Sequence, residues 1–375
     1  MRKRRLSLVC LAIAVAALAF PSALAARAWW GRPGGPVLPA GHQYLGLNDQ
    51  MLYGTDGIPP EQKADLVRTF GGDALRTSLD WGTVEPQRGQ WDEPALIHVT
   101  NLYEWSLARG IRPIFDLINA PSWAGVQCPG DCVSPPRESM NWAWASYVAE
   151  MARRYPQAMF EIWNEPNLKS YWGVPGGPDP QRFAELNAIA YRAIKAVDPA
   201  IPVLMGGLAR NTDSIPGRKI ALGRFLRRVY RARPSIEGHM DALAFHIYPR
   251  GTDLGPGSNF AKAFSTVRKV RARFNDARTP LFVTELGLST GPPDSVTQAQ
   301  QSATLLRAYK KMGRMPDVRG LIFHRLVEPK QTSTSEWEWG MGFLRYGLEP
   351  PRPRPVYCRF VALSGQHYAP CLTVL

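Results

Sequence analysis

Glu165 and Glu285 each stand at the end of a short apolar run. Met159, Phe160, Ile162 and Trp163 lead to Asn164-Glu165-Pro166, and Leu281-Phe282-Val283-Thr284 leads to Glu285. A short apolar run closed by turn residues reads as a buried parallel strand, and Pro166 stops its ladder. Each strand then delivers a carboxylate to its carboxyl end, where parallel α/β folds place their chemistry. Two opposed carboxylates, one protonated and one ionised, are what hydrolysis of a glycosidic bond requires. The first assists the leaving oxygen and the second attacks the anomeric carbon. Taken alone, either stretch also reads as a strand whose polar end opens the next helix. That plainer reading does not explain why there are two.

The elements that must carry these residues alternate along the chain. Strands are expected at His42–Leu47, Asp73–Leu79, Ile111–Leu117, Met159–Trp163, Ile201–Met205, Ala242–His246, Leu281–Thr284 and Gly320–His324. Helices are expected near Pro59–Phe70, Glu93–Arg109, Glu138–Arg154, Pro180–Val197, Lys219–Ala232, Phe260–Phe274, Gln298–Met312 and Val356–Leu363. Eight such units with no composition break predict an α/β fold, a single (β/α)8 barrel over residues 42–375. A doubly wound sheet is the structural rival, but no Gly-rich phosphate loop supports it. In the barrel, other polar groups reach the same mouth. Arg76, Asp80 and Glu85 follow strand two, Asn164 ends strand four, and His246 and Tyr248 end strand six. Such a cluster is costly unless paired, which points to chemistry rather than to folding. Asp116, Glu85 and Asp241 read instead as structural or capping residues.

Residues 1–25 read as a signal peptide: Arg2-Lys3-Arg4-Arg5, an apolar stretch from Leu6 to Phe20, and Ala23-Leu24-Ala25 as a small-residue cleavage pattern. The apolar stretch is shorter than the ~20 residues that span a bilayer, so export with cleavage is expected rather than a stable membrane span. Residues 26–41 read as a linker. Without the leader four of the five cysteines remain, 128, 132, 358 and 371. In an exported chain they imply disulfides with three connectivities open, of which Cys128–Cys132 and Cys358–Cys371 are the most local. The net charge of +14 falls to +10 without the four leader cations. The excess lies in helical Arg/Lys runs, which suit a solvated basic face or attraction to an anionic envelope polymer. No nucleic-acid motif accompanies them. The 12 Trp, several beside Gly, Pro or Asn, are expected largely in loops.

The stretches LRTSLDWGTVEPQRGQWD, EIWNEPN, FHIYP and VTELG, in that order, resemble the retaining glycoside hydrolases of clan A, families 39 and 5 in particular. The resemblance spans roughly residues 42–365. It implies Glu165 as general acid/base and Glu285 as nucleophile. It also implies that Asn164 meets a sugar 2-hydroxyl, that Arg76 and Tyr248 orient the nucleophile, and that His246 lines the site. The implied protein is a secreted or periplasmic β-glycosidase of a poly- or oligosaccharide. A transglycosylase of an envelope polymer and a silent sugar-binding protein are the alternatives. No metal-ligand spacing is evident and the mechanism calls for no cofactor. Strand three carries Phe115-Asp116-Leu117 where family 5 usually has a His, and strand eight ends in His324-Arg325 where the clan usually has Trp. Those two residues could meet a polar or anionic sugar, or Trp337 or Trp339 could fill the Trp's place. Trp123, Trp172 and Trp337 are candidate sugar platforms, with packing the competing role.

Overall fold

A computed structural model of the chain describes residues 38–374 except 40, 51–55, 129–131, 211–212, 293–294, 331–335 and 348–349. The signal peptide and nearly all of the proposed linker lie outside the described residues. Eight parallel strands close into a barrel in chain order. They are β1 (Tyr44–Asn48), β2 (Ala74–Asp80), β3 (Arg112–Ile118), β4 (Met159–Asn164), β5 (Val203–Leu208), β6 (Ala242–Ile247), β7 (Leu281–Leu286) and β8 (Val318–His324). Each is followed by a helix: α1 (Pro60–Phe70), α2 (Glu93–Ala108), α3 (Asn141–Arg154), α4 (Pro180–Val197), α5 (Leu222–Ala232), α6 (Asn259–Arg273), α7 (Gln298–Met312) and α8 (Pro355–Leu363). The chain is a (β/α)8 barrel, as the alternation predicted.

Helix faces follow from spacing. In α5, Leu222, Phe225, Leu226, Val229 and Tyr230 are buried at helical intervals, while Arg224, Arg228 and Arg231 face solvent. The basic run is thus the solvated side of an amphipathic helix. Helix starts are held by side-chain caps, among them Asp179 on Gln181 and Arg182, and Thr297 in a reciprocal capping box with Gln300. No helix among the described residues is long and apolar enough to cross a membrane.

Inside the barrel the two-residue period sorts side chains into layers. Tyr44, Ala74, Ile114, Met159, Leu204, Ala242, Phe282 and Ile322 form a closed apolar floor. Two residues further along most of these strands stand Arg76, Asp116, Glu161, Thr284 and His324, all buried. The barrel therefore changes from apolar to ionic within one or two residues per strand, toward the carboxyl ends. Strand β5 runs three residues beyond its predicted end at Met205, through Gly206-Gly207. The glycines are a spatial requirement, since a Cβ on Gly207 would collide with Glu161 and His246. Registers slip at Phe245/His246 between β6 and β7 and at Val283/Leu286 between β7 and β8. Such irregularities re-aim side chains, here beside Glu285.

The expectation of loops holds for Trp123 and Trp172, which lie in a turn and a bend, and fails for Trp81, Trp163 and Trp339, which lie in helix or strand. Trp81, Trp163 and Trp172 are almost fully buried. They form an aromatic chain in which Trp81 stacks on Tyr147, Trp144 meets both Trp81 and Trp163, and Trp163 meets Trp172. Neighbouring Pro and Gly set the local turns, but a ring this large is drawn into the core by the area it removes from water. Trp172 is therefore a packing residue and not a sugar platform. Both local disulfides are present, Cys128–Cys132 and Cys358–Cys371.

Candidate active site

Strand β4 ends in a strained backbone. Trp163 and Glu165 hold φ of 73° and 42°, a left-handed region that residues with a Cβ rarely enter. The Trp163 Nε1–H donates to the Tyr171 carbonyl at 2.7 Å, and the Glu165 amide donates to Gly207 O at 2.9 Å, which pins the turn on both sides. The result turns the Glu165 carboxyl toward β6 and β7, where His246 Nδ1 lies 2.9 Å from its Oε1. The same Nδ1 lies 3.2 Å from Glu285 Oε2. One oxygen of each carboxylate and the imidazole nitrogen all lie within 4.8 Å of one another. Among the described residues these three groups are the ones that could hold a cation, in exchange for the hydrogen bonds just described.

Glu285 is 4 % exposed and has several donors. Arg76 Nη1 donates to Oε1 at 2.9 Å, Asn48 Nδ2 donates to Oε1 at 3.2 Å, and the Tyr248 hydroxyl donates to Oε2. Burial alone would raise its pKa, but His246, His324, Arg76 and Tyr248 outweigh burial and hold it at about 2. Glu165 moves the other way. Burial raises it, and the His246 hydrogen bond offsets this only in part. Two carboxylates in one site are thus driven apart, one toward the acid and one toward the anion.

Arg76, 1 % exposed, is the hub beneath them. Its Nε donates to Glu161 at 2.6 Å, Nη1 to Glu285, and Nη2 to Asn164 Oδ1 at 2.9 Å, with Asp116 3.7 Å away. Burial disfavours its charge, yet Glu161, Glu285 and Asp116 reverse that and keep it protonated. Asn164 gives its oxygen to Arg76, which leaves its Nδ2 as the side chain's donor. Asp116 accepts from Ser78 at 3.1 Å but has an unpartnered oxygen, and burial lifts it to about 7. It lies inside the barrel rather than at a helix cap.

An acid whose folded pKa lies above its unfolded value stabilises the fold less as pH rises between the two. Wild type should therefore lose stability from about pH 4 to about pH 7 relative to Asp116→Asn. Melting temperatures of both proteins across that range measure it, and parallel curves would refute it.

The predicted residues Arg76, Asn164, Glu165, His246, Tyr248 and Glu285 all meet at one end of the barrel. Trp123 is half-buried, beside the Trp81 ring, with its Nε1 on the Glu85 carbonyl at 3.1 Å. Trp337 falls in the helical turn Glu336–Trp339, and its side chain is outside the described residues. Glu85 is structural, accepting from Trp81 Nε1 and Gly89 N, and so is Asp241, which binds Lys195 and Val203 N. Asn48 and Glu161 were not anticipated. The sign of Glu161 was a lone charge inside an apolar strand. Asn48 was lost by ending strand one at Leu47.

The described residues also line two clefts, neither of which includes Glu165 or Glu285. One, about 810 Å³, is lined by the loops after β2 and β3, including Asp80, Asn119 and Ser122. The other, about 510 Å³, lies between the loops after β4 and β5 and carries Lys169, Arg218 and Lys219.

A (β/α)8 barrel with paired carboxylates at the carboxyl ends of β4 and β7 has the architecture of a glycoside hydrolase. The chain belongs to the cellulase family, glycosyl hydrolase family 5, whose model matches residues 38–315. It is also similar to a beta-xylosidase of Geobacillus stearothermophilus, 25% identical over 189 residues, which are 46% of this chain and 36% of that enzyme. Among solved structures, a family 39 glycoside hydrolase from Bacteroides cellulosilyticus superposes with TM-score 0.62 at 21% identity, over 86% of this chain and 64% of the other. A monomeric beta-xylosidase from Caulobacter crescentus superposes with TM-score 0.60 at 21% identity, over 87% and 68%. These likenesses show the shared barrel. The matched part of this chain spans about a third of the Geobacillus enzyme and under two thirds of the Bacteroides one.

Proposed function

We propose that the protein is an exported retaining β-glycosidase of a poly- or oligosaccharide, with Glu285 as nucleophile and Glu165 as general acid/base. The observation that carries this reading is the closeness of the two carboxylates, within 4.8 Å by their nearest oxygens. Retaining enzymes hold the pair ~5–5.5 Å apart, whereas inverting ones need ~6.5–9.5 Å to admit a water. Glu285 attacks the anomeric carbon while Glu165 protonates the departing oxygen. Glu165 then takes a proton from the water that releases the sugar. Arg76, Asn48 and Tyr248 keep Glu285 ionised and aimed, and His246 ties both carboxylates to one wall. Asn164 Nδ2 is the donor for a sugar hydroxyl, and Trp123 is the aromatic platform beside the β2–β3 cleft.

The leader at residues 1–25 and the two disulfides support export to the periplasm, the cell envelope or the medium. The linker at 26–41 and a catalytic domain at 42–375 belong to the same reading. The basic cleft of Lys169, Arg218 and Lys219 supports an anionic envelope polymer as a candidate partner.

Proton NMR of a β-glycoside under hydrolysis tests the mechanism. The β-anomer of the product should appear first and mutarotate later, while a first-formed α-anomer would mean inversion. Longer oligosaccharides among the products would reveal transfer to sugar instead of water.

Activity should also trace both carboxylates. Glu285 must be ionised, so kcat/KM should rise with pH through about 2. Glu165 must be protonated, so kcat/KM should fall as pH passes its raised value, above the ordinary 4.5. A pH profile of kcat/KM for wild type and Glu165→Gln checks this, because the alkaline limb should vanish in the variant.

A further inference from the structure

The end of β8 carries hydrogen-bonding capacity that the mechanism above does not use. The Asn48 oxygen is taken by Arg76 Nη1 at 3.3 Å, and a guanidinium can only donate. Asn48 Nδ2 is therefore the atom facing His324 Nδ1 at 3.1 Å, and that ring nitrogen accepts. Burial holds the His324 imidazole at about 3, so the ring is neutral and its proton is on Nε2. The ring stands edge-on to Tyr248, 5.8 Å between centroids, and its Nδ1 is 3.7 Å from Glu285. Its Nδ1 edge thus stands beside the carboxylate that would meet the sugar, and its Nε2–H is the ring's remaining donor.

Arg325 follows directly. It is 4 % exposed, and its Nε is buried with no hydrogen-bond partner among the described residues. Its ion pair is a long one, Nη1 to Glu338 Oε2 at 3.4 Å, and Glu338 is itself 40 % exposed. The other acidic groups acting on it are Asp49 and Glu285. Asp49 is bound by Lys63 at 2.9 Å, and Glu285 is bound by Arg76 and Tyr248. A buried guanidinium whose Nε–H finds no partner among the described residues is incomplete without an acceptor.

We propose that Arg325, with His324 Nε2–H beside it, receives the carboxylate of a hexuronic acid residue in the pocket next to Glu285, so that the enzyme cleaves an acidic glycan. This rests on the glycosidase reading above and names its substrate class. A planar guanidinium fork matches a carboxylate in two parallel hydrogen bonds. A neutral sugar hydroxyl could accept from Arg325 but would leave its charge uncompensated. Conversely, a sugar carboxylate brought near the ionised Glu285 is repelled unless a cation stands beside it, and Arg325 is that cation.

The test compares kcat/KM on matched aryl β-glycosides: glucoside with glucuronide, galactoside with galacturonide, mannoside with mannuronide. Polymannuronate and hyaluronan are paired with neutral β-mannan and β-glucan for an endo-acting enzyme. Wild type should favour the acidic member of at least one pair by roughly 10–100-fold, the worth of a charge-assisted hydrogen bond. Arg325→Gln should bring that ratio toward one, and Arg325→Lys should keep part of it. A wild-type preference for the neutral member of every pair would overturn the assignment while leaving the glycosidase reading intact, provided turnover disappears in Glu285→Gln. An acidic preference that survives Arg325→Gln would overturn the role of Arg325. Hydrolysis of no member of the panel would remove both readings. The wild-type ratio and the Lys variant decide the matter even if Arg325→Gln fails to fold.

Discussion

Glu285→Gln should lower kcat/KM by at least about 10⁴-fold on every substrate the wild type cleaves, because an amide cannot form the glycosyl intermediate. The substitution keeps shape and volume, and Arg76 retains Glu161 as its 2.6 Å partner, so the barrel should still fold. Glu165→Gln should behave differently. It removes the proton donor for the first step and the base for the second. A substrate with an acidic phenol as leaving group needs no proton, so its first step should survive and an early burst of phenol should appear. Glu165→Ala should then recover turnover with azide, a small anion that fits the vacated space and needs no base. The product would be a glycosyl azide of retained configuration. Steady-state rates, burst amplitudes and product analysis measure all three effects. If Glu285→Gln stayed within about tenfold of wild type, the nucleophile would have to be another residue. If Glu165→Gln were equally slow on activated and unactivated substrates, Glu165 would not be the acid.

The barrel was legible because eight apolar runs alternate with amphipathic helices, and that pattern is a direct consequence of burying both faces of a parallel sheet. Glu165 and Glu285 were legible because each interrupts such a run at its end. The layer beneath them was less so. Arg76, Asp116 and Glu161 sit mid-strand, where a long apolar run hides which alternate residues point inward. The period of two gives the missing signal: Ala74 to Arg76, Ile114 to Asp116 and Met159 to Glu161 each step from the apolar floor to an ionic layer. Asp116 was read as a structural or capping residue, and the structural half of that reading is the one that fits its place inside the barrel. The register between the neighbouring strands β2 and β3 is what places it beside Arg76. Trp172 illustrates the opposite failure, since local turn residues say nothing about where a ring packs. The separation of the two carboxylates depends on strand register and on the slips beside His246 and Glu285, which no linear spacing encodes.

Arg76→Met should be the most destabilising single change in the site. The side chain is fully buried and is the cation facing Glu161, Glu285 and, more distantly, Asp116. Methionine fills much of its volume but leaves Glu161 and Glu285 in the barrel without their guanidinium partner. Breaking a buried ion pair from one side costs about 3–5 kcal/mol, more than the pair itself contributes. Stability should also change its pH dependence. With its pKa lowered to about 2, Glu285 contributes stability that is present above the ordinary 4.5 and lost as pH falls through about 2. Without Arg76 that depression shrinks, so the variant should lose less stability on acidification, and the acid limb of its activity should move upward. The double variant Arg76→Met/Glu161→Gln separates charge from shape. Removing one stranded carboxylate should recover part of the stability but not the activity, since Glu285 would still lack its 2.9 Å partner. Denaturant unfolding of wild type, both single variants and the double variant closes the cycle. An Arg76→Met protein as stable as wild type would show that the hub is not the element holding the carboxylates ionised inside the barrel.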